Sequence, residues 1–329
     1  MKPLRIATLN CLNLALPGRR CYAGVEPYTA DEYIAKTQWL AAMLDRLAAD
    51  VVLLQEVFHE QALSDVVRQT AGGAHQWSLA APLAAQDNDK PRVGVVWRRP
   101  ARLSWQSIAG FPPGCAVEVP EKGPYTAFSR PLLQAELVLP GDDAPLSIVG
   151  VHLKSRRPDF LPGENEADPT AAARAQLRSL IRRGAEAAAL RGLVVALQAK
   201  RRAALVVAGD FNDTVDAVTT QIVAGPLAGD EAAREVSPRL FDAFELAAPV
   251  ASVAGGMPAP LTQLGDEGAA RIDHVLLSEE FVPGAALPAG RVAAVEVLAD
   301  HLVERRRGGG LERIYSDHAA VCVELQPLG

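Results

Sequence analysis

Nine polar residues stand where apolar, strand-like runs stop: Asn10, Glu56, Arg130, His152, Asp210, Asn212, Asp273, Asp317 and His318. The clearest case is Leu205-Val206-Val207-Ala208-Gly209-Asp210-Phe211-Asn212-Asp213, an apolar run that breaks into two acids flanking an amide. A single polar strand end is an ordinary Asx turn. A repeated set of Asn, Asp, Glu and His at strand ends points to a crevice, because carboxyl ends of strands line the sites of α/β folds. The set lacks the thiolates and multiple imidazoles that zinc favours. Its carboxylate and amide oxygens suit Mg²⁺, or Mn²⁺, ions that keep several waters and share phosphate oxygens of a substrate.

Strands and a few helices must carry these groups. Strands are expected at Arg5–Leu9, Asp50–Leu54, Val93–Trp97, Pro131–Leu139, Leu146–Val151, Leu205–Ala208, Ile272–Leu277, Val292–Leu298 and Ala319–Leu325, from β-branched and apolar runs with polar boundaries. Thr29-Ala30-Asp31-Glu32 is a capping box with acids favourably placed at a helix start. Tyr33, Leu40, Leu44 and Leu47 then form one buried stripe. A second helix is expected at Glu60–Gln69. A long Ala- and Arg-rich helix starts with Asp168 as N-cap and Pro169 in the first turn. Its apolar stripe is Leu190, Leu193, Val194 and Leu197, and Gly184 and Gly192 are possible breaks. Phe111–Tyr125 and the stretch from roughly 225 to 270 read as loop, with a helical patch at Leu240–Phe244. The pattern is that of a single α/β domain over residues 1–329.

Composition narrows the class. A hydrophobic share of 49% is enough for a sizeable core, and no apolar run is long enough to span a bilayer. The N-terminus enters a strand without an apolar leader, so no signal peptide and a cytoplasmic location are expected. Cys11, Cys21, Cys115 and Cys322 are scattered and read as incidental thiols. The net charge of −6 disfavours a bulk electrostatic grip on nucleic acid. Arg19-Arg20, Arg156-Arg157, Arg182-Arg183 and Arg305-Arg306-Arg307 read as solvated faces.

Thr8-Leu9-Asn10, Leu54-Gln55-Glu56-Val57, Val151-His152-Leu153-Lys154-Ser155, Gly209-Asp210-Phe211-Asn212, Ile272-Asp273-His274 and Ser316-Asp317-His318 occur in this order. Together they resemble the endonuclease/exonuclease/phosphatase superfamily, the group of DNase I, exonuclease III, sphingomyelinases and inositol-polyphosphate 5-phosphatases. The resemblance covers residue 8 to about 325. It implies a four-layer α/β/β/α sandwich, two mostly antiparallel sheets face to face with helices outside.

It also implies roles that agree with the chemistry of the residues. Glu56 is the principal metal carboxylate, helped by Asn10 and Asp317. Asp210 activates the attacking water, and Asn212 fixes that geometry or donates to a phosphoryl oxygen. His318 faces the phosphate, with Asp273 on its other nitrogen. His152 is a second phosphate-facing imidazole, and Arg130 and Lys154 are cationic clamps. Two departures leave the subfamily open: Leu12 replaces an acid of abasic-site endonucleases, and Asp89 is the nearest candidate partner for His152.

The expected function is a Mg²⁺-dependent phosphodiester hydrolase, foremost a nuclease. The alternative is a hydrolase of a small or lipid phosphoester, which the acidic balance and the aromatic share of 5% favour. A binding scaffold would require a lost ligand among Glu56, Asp210, Asp317 and His318, and none is lost. No protein partner is implied. Asp213 reads as a turn residue, His274 as structural on the opposite strand face, and His59, His75 and His301 as surface residues. Ser155 and Thr262 read as turn hydroxyls.

Overall fold

Side chains of a strand alternate between two faces, and in this chain both faces of most strands are apolar. Such strands need a cover on each side. In β1 (Leu4–Leu14), Ile6 belongs to one core with Leu53, Val206 and Val275, while Ala7 and Leu9 belong to another with Leu40 and Leu44. The computed structural model describes residues 3–22, 24–82, 90–141, 144–201, 204–226, 238–247, 261–265, 268–306 and 313–327.

Two six-stranded sheets result. The first holds β1 with β2 (Val51–Val57), β3 (Trp77–Ala80), β4 (Arg92–Arg98), β15 (Arg291–Leu298) and β16 (Ala320–Gln326), in the order β15-β16-β1-β2-β4-β3. The second contains β5 (Arg102–Gly110), β8 (Ala127–Val138), β9 (Leu146–His152), β10 (Leu205–Asp210), β11 (Leu240–Asp242) and β14 (Asp273–Ser278), in the order β11-β14-β10-β9-β8-β5. Each sheet is antiparallel except for one central parallel pair, β1 with β2 and β10 with β9. Two small hairpins lie outside the two sheets: β6 (Val117–Val119) with β7 (Gly123–Tyr125), and β12 (Gln263–Gly265) with β13 (Gly268–Ala270), the latter bridged from Gln263 to His318 just before β16.

Three apolar layers hold the four structural layers together. Ile6, Leu53, Val95, Leu133, Ile148, Val206 and Val275 form the layer between the sheets. Gly150 lets the sheets approach there, since a Cβ at that position would lie 2.8 Å from Val93 Cγ1. Outside the first sheet pack α1 (Ala30–Leu47) and α2 (Glu60–Arg68), through Leu40, Leu44, Leu63 and Val66. Outside the second packs α4 (Pro169–Arg201), through Ala187, Leu190 and Val194, with Val223 of α5 (Val218–Ala224). Short helices α3 (Gly73–Gln76), α6 (Ala243–Leu246) and α7 (Asp300–Arg306) and a 3-10 turn at Glu279–Phe281 complete the described elements. This is the α/β sandwich that the resemblance implies.

Thr29 and Glu32 form the expected reciprocal capping box. Asp168 accepts from Thr170 N at 3.0 Å at the start of α4, and this helix continues through Gly184 and Gly192 unbroken. Three expectations change. The Phe111–Tyr125 stretch contains the β6–β7 hairpin, and β3 and β5 are additional strands. β5 is an edge strand exposed along most of its length, so it lacks the apolar alternation that identifies a buried strand. Leu240–Phe244 is not a helix but a three-residue strand that runs into α6, with Asp242 capping Phe244 N.

Candidate active site

Strand parity carries the site groups into the layer between the sheets. Val206 and Ala208 face that layer, so Asp210 does too; Val275 and Leu277 do the same for Asp273, Ile148 for His152 and Ile6 for Asn10. Where the apolar layer ends, polar side chains from both sheets meet.

Asp210 is the centre of the meeting. Its Oδ2 accepts from Asn10 Nδ2 at 3.0 Å and lies 3.4 Å from His152 Nε2 and 3.9 Å from His318 Nε2. Its Oδ1 accepts from Asn212 N at 2.8 Å. Burial pushes the Asp210 carboxyl up to about 7; the Asp273 charge adds to the rise, and His318 opposes it. Gly209, at φ 148°, lets this strand end fit, because a Cβ there would lie 2.0 Å from the Val151 carbonyl oxygen.

His318 Nδ1 lies 2.9 Å from Asp273 Oδ2. Burial alone would lower its pKa, but the Asp273 and Asp210 carboxylates outweigh burial and hold it well above the ordinary imidazole range. His152 shows the opposite balance. Burial, with Arg130 and His318 nearby, holds it well below that range, so it is a neutral imidazole. Its Nδ1 is buried without a hydrogen-bond partner among the described residues. Asp89, the expected partner, lies outside the described residues.

Glu56 and Asp317 form the other side. Glu56 is half-buried in a left-handed backbone conformation, φ 59°, with Oε2 accepting from Asn13 N at 2.9 Å. Burial raises its pKa; Arg130 opposes the rise and Asp317 reinforces it. Asp317 Oδ1 is buried without a hydrogen-bond partner among the described residues and stands 3.9 Å from His318 Nε2. Behind them Lys36 is fully buried, over the Tyr28 ring at 5.4 Å, and burial pushes its ammonium down to about 8.

The expected cations differ in placement. Arg130 is half-buried, donates to Leu153 O at 3.0 Å and is an electrostatic neighbour of Glu56 and His152. Lys154 Nζ instead donates to Ser155 O at 3.0 Å, Arg157 O at 3.2 Å and Ser179 Oγ at 3.3 Å. Its ammonium is thus occupied by its own loop and by α4. The Asn212 amide donates to Leu153 O at 2.9 Å, which locks the turn that orients Asp210.

Several bland readings are corrected. Asp213 lies in a bend, as expected, but it is more than a turn residue: its carboxylate is also held by Arg156 at 2.8 Å, Arg183 at 3.0 Å and the Thr219 hydroxyl at 2.8 Å. Neither arginine pair flanking it is purely a solvated face, since Arg183 is buried and Arg182 binds Asp159 at 2.9 Å. His301 is half-buried against Trp39 and bonded to the His318 carbonyl at 2.9 Å, and His59 Nδ1 accepts from Leu16 N at 3.2 Å. Buried Thr262 accepts from the Ile272 and Asp273 amides at 3.0 Å each, fixing the start of β14. His274 faces away from the cluster, as its parity requires, with Nε2 2.9 Å from the Asp213 carbonyl. Side chains of Arg305-Arg306-Arg307 lie outside the described residues.

The model of the Endonuclease/Exonuclease/phosphatase family matches residues 7–318, and the chain belongs to that family and is a phosphoesterase. No curated protein sequence matches it. Among solved structures it is similar to a humanized TDP2 of D. rerio, with 15% identity, a TM-score of 0.56, and 98% of this chain and 99% of that one covered. A mannosyl-6-phosphatase of Bacteroides thetaiotaomicron gives 14% identity, a TM-score of 0.57, and coverage of 98% and 99%. The human Nocturnin catalytic domain with bound sulfate gives 14% identity, a TM-score of 0.54, and coverage of 99% and 95%. At these identities the likeness is one of fold.

Proposed function

We propose that this phosphoesterase is a Mg²⁺-dependent phosphodiester hydrolase, foremost a nuclease, that uses Asp210 to activate water. The observation that carries the reading is Asp210 itself. It is a carboxylate held by two hydrogen bonds, titrating near neutrality, and close to two imidazoles, one cationic and one neutral. A general base works best when its pKa lies near the working pH.

In this reading Asp210 takes a proton from water as that water attacks phosphorus. Asn10 and Asn212 hold the carboxylate in place. His318 is held as imidazolium by Asp273 and donates from Nε2 to a phosphoryl oxygen. Neutral His152 faces the same phosphate, and Arg130 contributes a fixed cation beside it.

The residues present fit a divalent cation. Asp210, Asp273 and His318 have ligand atoms within 4.8 Å of one another, but the His318 imidazolium already balances that group. Glu56 has no ion pair among the described residues, and Asp317 Oδ1 meets His318 Nε2 only at 3.9 Å and is buried without a hydrogen-bond partner among the described residues. Glu56 and Asp317, with Asn10 at their edge, are therefore the residues that would hold it. When bound, Mg²⁺ would supply charge neutralisation on the phosphate and leaving oxygens.

The test is hydrolysis of bis(4-nitrophenyl) phosphate, supercoiled plasmid and single-stranded DNA with Mg²⁺, with and without EDTA. Equal rates for Asp210→Ala and wild type, or full activity in EDTA, would sink the reading. A second reading, a small or lipid phosphoester substrate, is favoured by the net charge of −6 and the aromatic share of 5%. Phosphate release from a panel of sugar and inositol phosphates, with DNA left intact, would select it.

A further inference from the structure

Arg130 stands where sheet pairing gives no support. The β8–β9 ladder ends at Leu133 with Gly150, and the β5–β8 ladder shifts register between Ile108 and Gly110. Arg130 falls inside the resulting gap, and Pro131 beside it has no N–H to offer. His152, by contrast, remains in register with Asp210 on β10.

Glu186 of α4 fills the gap. It is 0% exposed. Its Oε1 accepts from Ser129 N at 2.8 Å and from the Tyr125 hydroxyl, and its Oε2 accepts from Lys154 N at 2.7 Å. One carboxylate thus bonds the strand immediately before Arg130 and the strand end just after Leu153, whose carbonyl accepts from Arg130. All three partners are donors. A carboxylate accepts at both oxygens, whereas glutamine would turn an N–H toward one of these donors.

We propose that Glu186 is a positioning residue that sets Arg130 in the site by replacing the missing strand pairing. The functional consequence rests on the phosphodiesterase reading; the geometric part does not.

The experiment has two arms. Glu186→Ala removes every acceptor, and Glu186→Gln keeps the volume if the alanine variant fails to fold. In amide exchange, either variant loses protection at Ser129 or Lys154 while the β8–β9 ladder keeps its own. Wild-type protection at both amides overturns the proposal, whatever reaction the protein catalyses.

In kinetics with bis(4-nitrophenyl) phosphate, kcat falls about 10- to 100-fold, the scale of a misplaced group, with an unchanged Mg²⁺ half-saturation. Combined with Arg130→Ala, the Glu186 change costs less than about threefold more, because both remove one function. Losses that multiply, or an altered Mg²⁺ requirement, overturn it. If wild type turns over no diester, the phosphodiesterase reading fails, and the exchange arm still decides the geometry.

Discussion

The two sides of the site solve the cost of buried charge in different ways. On the Asp210 side, carboxylates and imidazoles pair: His318 is bonded to Asp273, and Asp210 has Asn10, Asn212 and His152 around it. On the Glu56 side, two half-buried acids are less closely matched: Glu56 has no ion pair among the described residues, Asp317 meets His318 only at 3.9 Å, and Arg130 and the buried Lys36 act on Glu56 through their charge alone. Burying charge without a close partner is costly, so such an arrangement persists only where something external offsets it. In the proposed reading the contrast separates residues that move protons from residues that hold a cation.

Breaking the paired side should have the largest effect. Asp210→Ala is expected to lower kcat on an activated diester by about 10²- to 10⁴-fold, the usual range for a general base, without raising the Mg²⁺ requirement. Steady-state kinetics across a metal titration checks both halves. Breaking the unpaired side should show the reverse. Glu56→Gln and Asp317→Asn are expected to raise the Mg²⁺ concentration for half-maximal rate by about 10- to 100-fold, read by titration calorimetry and by rate.

A finer probe removes the charge behind His318. In Asp273→Asn the His318 pKa should fall, measured by NMR titration. Because the folded His318 pKa is raised, its contribution to stability is present below the unfolded value and lost as pH rises through the folded value. The variant's deficit in Tm should therefore be greatest at mildly acidic pH and shrink as pH rises. The smallest effect is expected from Lys154→Ala. Its ammonium is tied to Ser155, Arg157 and Ser179, so kcat/KM should change by no more than about threefold, as for substitutions away from the chemistry.

Strand parity explains why so much of the site was legible. An apolar run that alternates into Asp210, Asp273 or His152 dictates which face those side chains take, and it placed His274 on the far face as well. The same logic did not reach the ion pairs of Asp213. Its partners Arg156 and Arg183 come from a loop and a helix distant in sequence, so nothing local separates it from a turn acid. Lys154 misled for a similar reason: adjacency to a site strand does not say where a long flexible side chain ends. Glu186 carried no signal at all, being one acid on an Ala- and Arg-rich helix.

What the sequence determined by itself was therefore periodic and local: most of the sheet strands, the caps of α1 and α4, and the identity and facing of Asn10, His152, Asp210 and Asp273. Only the tertiary structure decided how charges compensate one another. Pairing depends on distances of a few ångströms between residues hundreds of positions apart, as between Asn10 and Asp210 at 3.0 Å. Coulomb and desolvation energies change steeply over such distances, and no spacing along the chain encodes them.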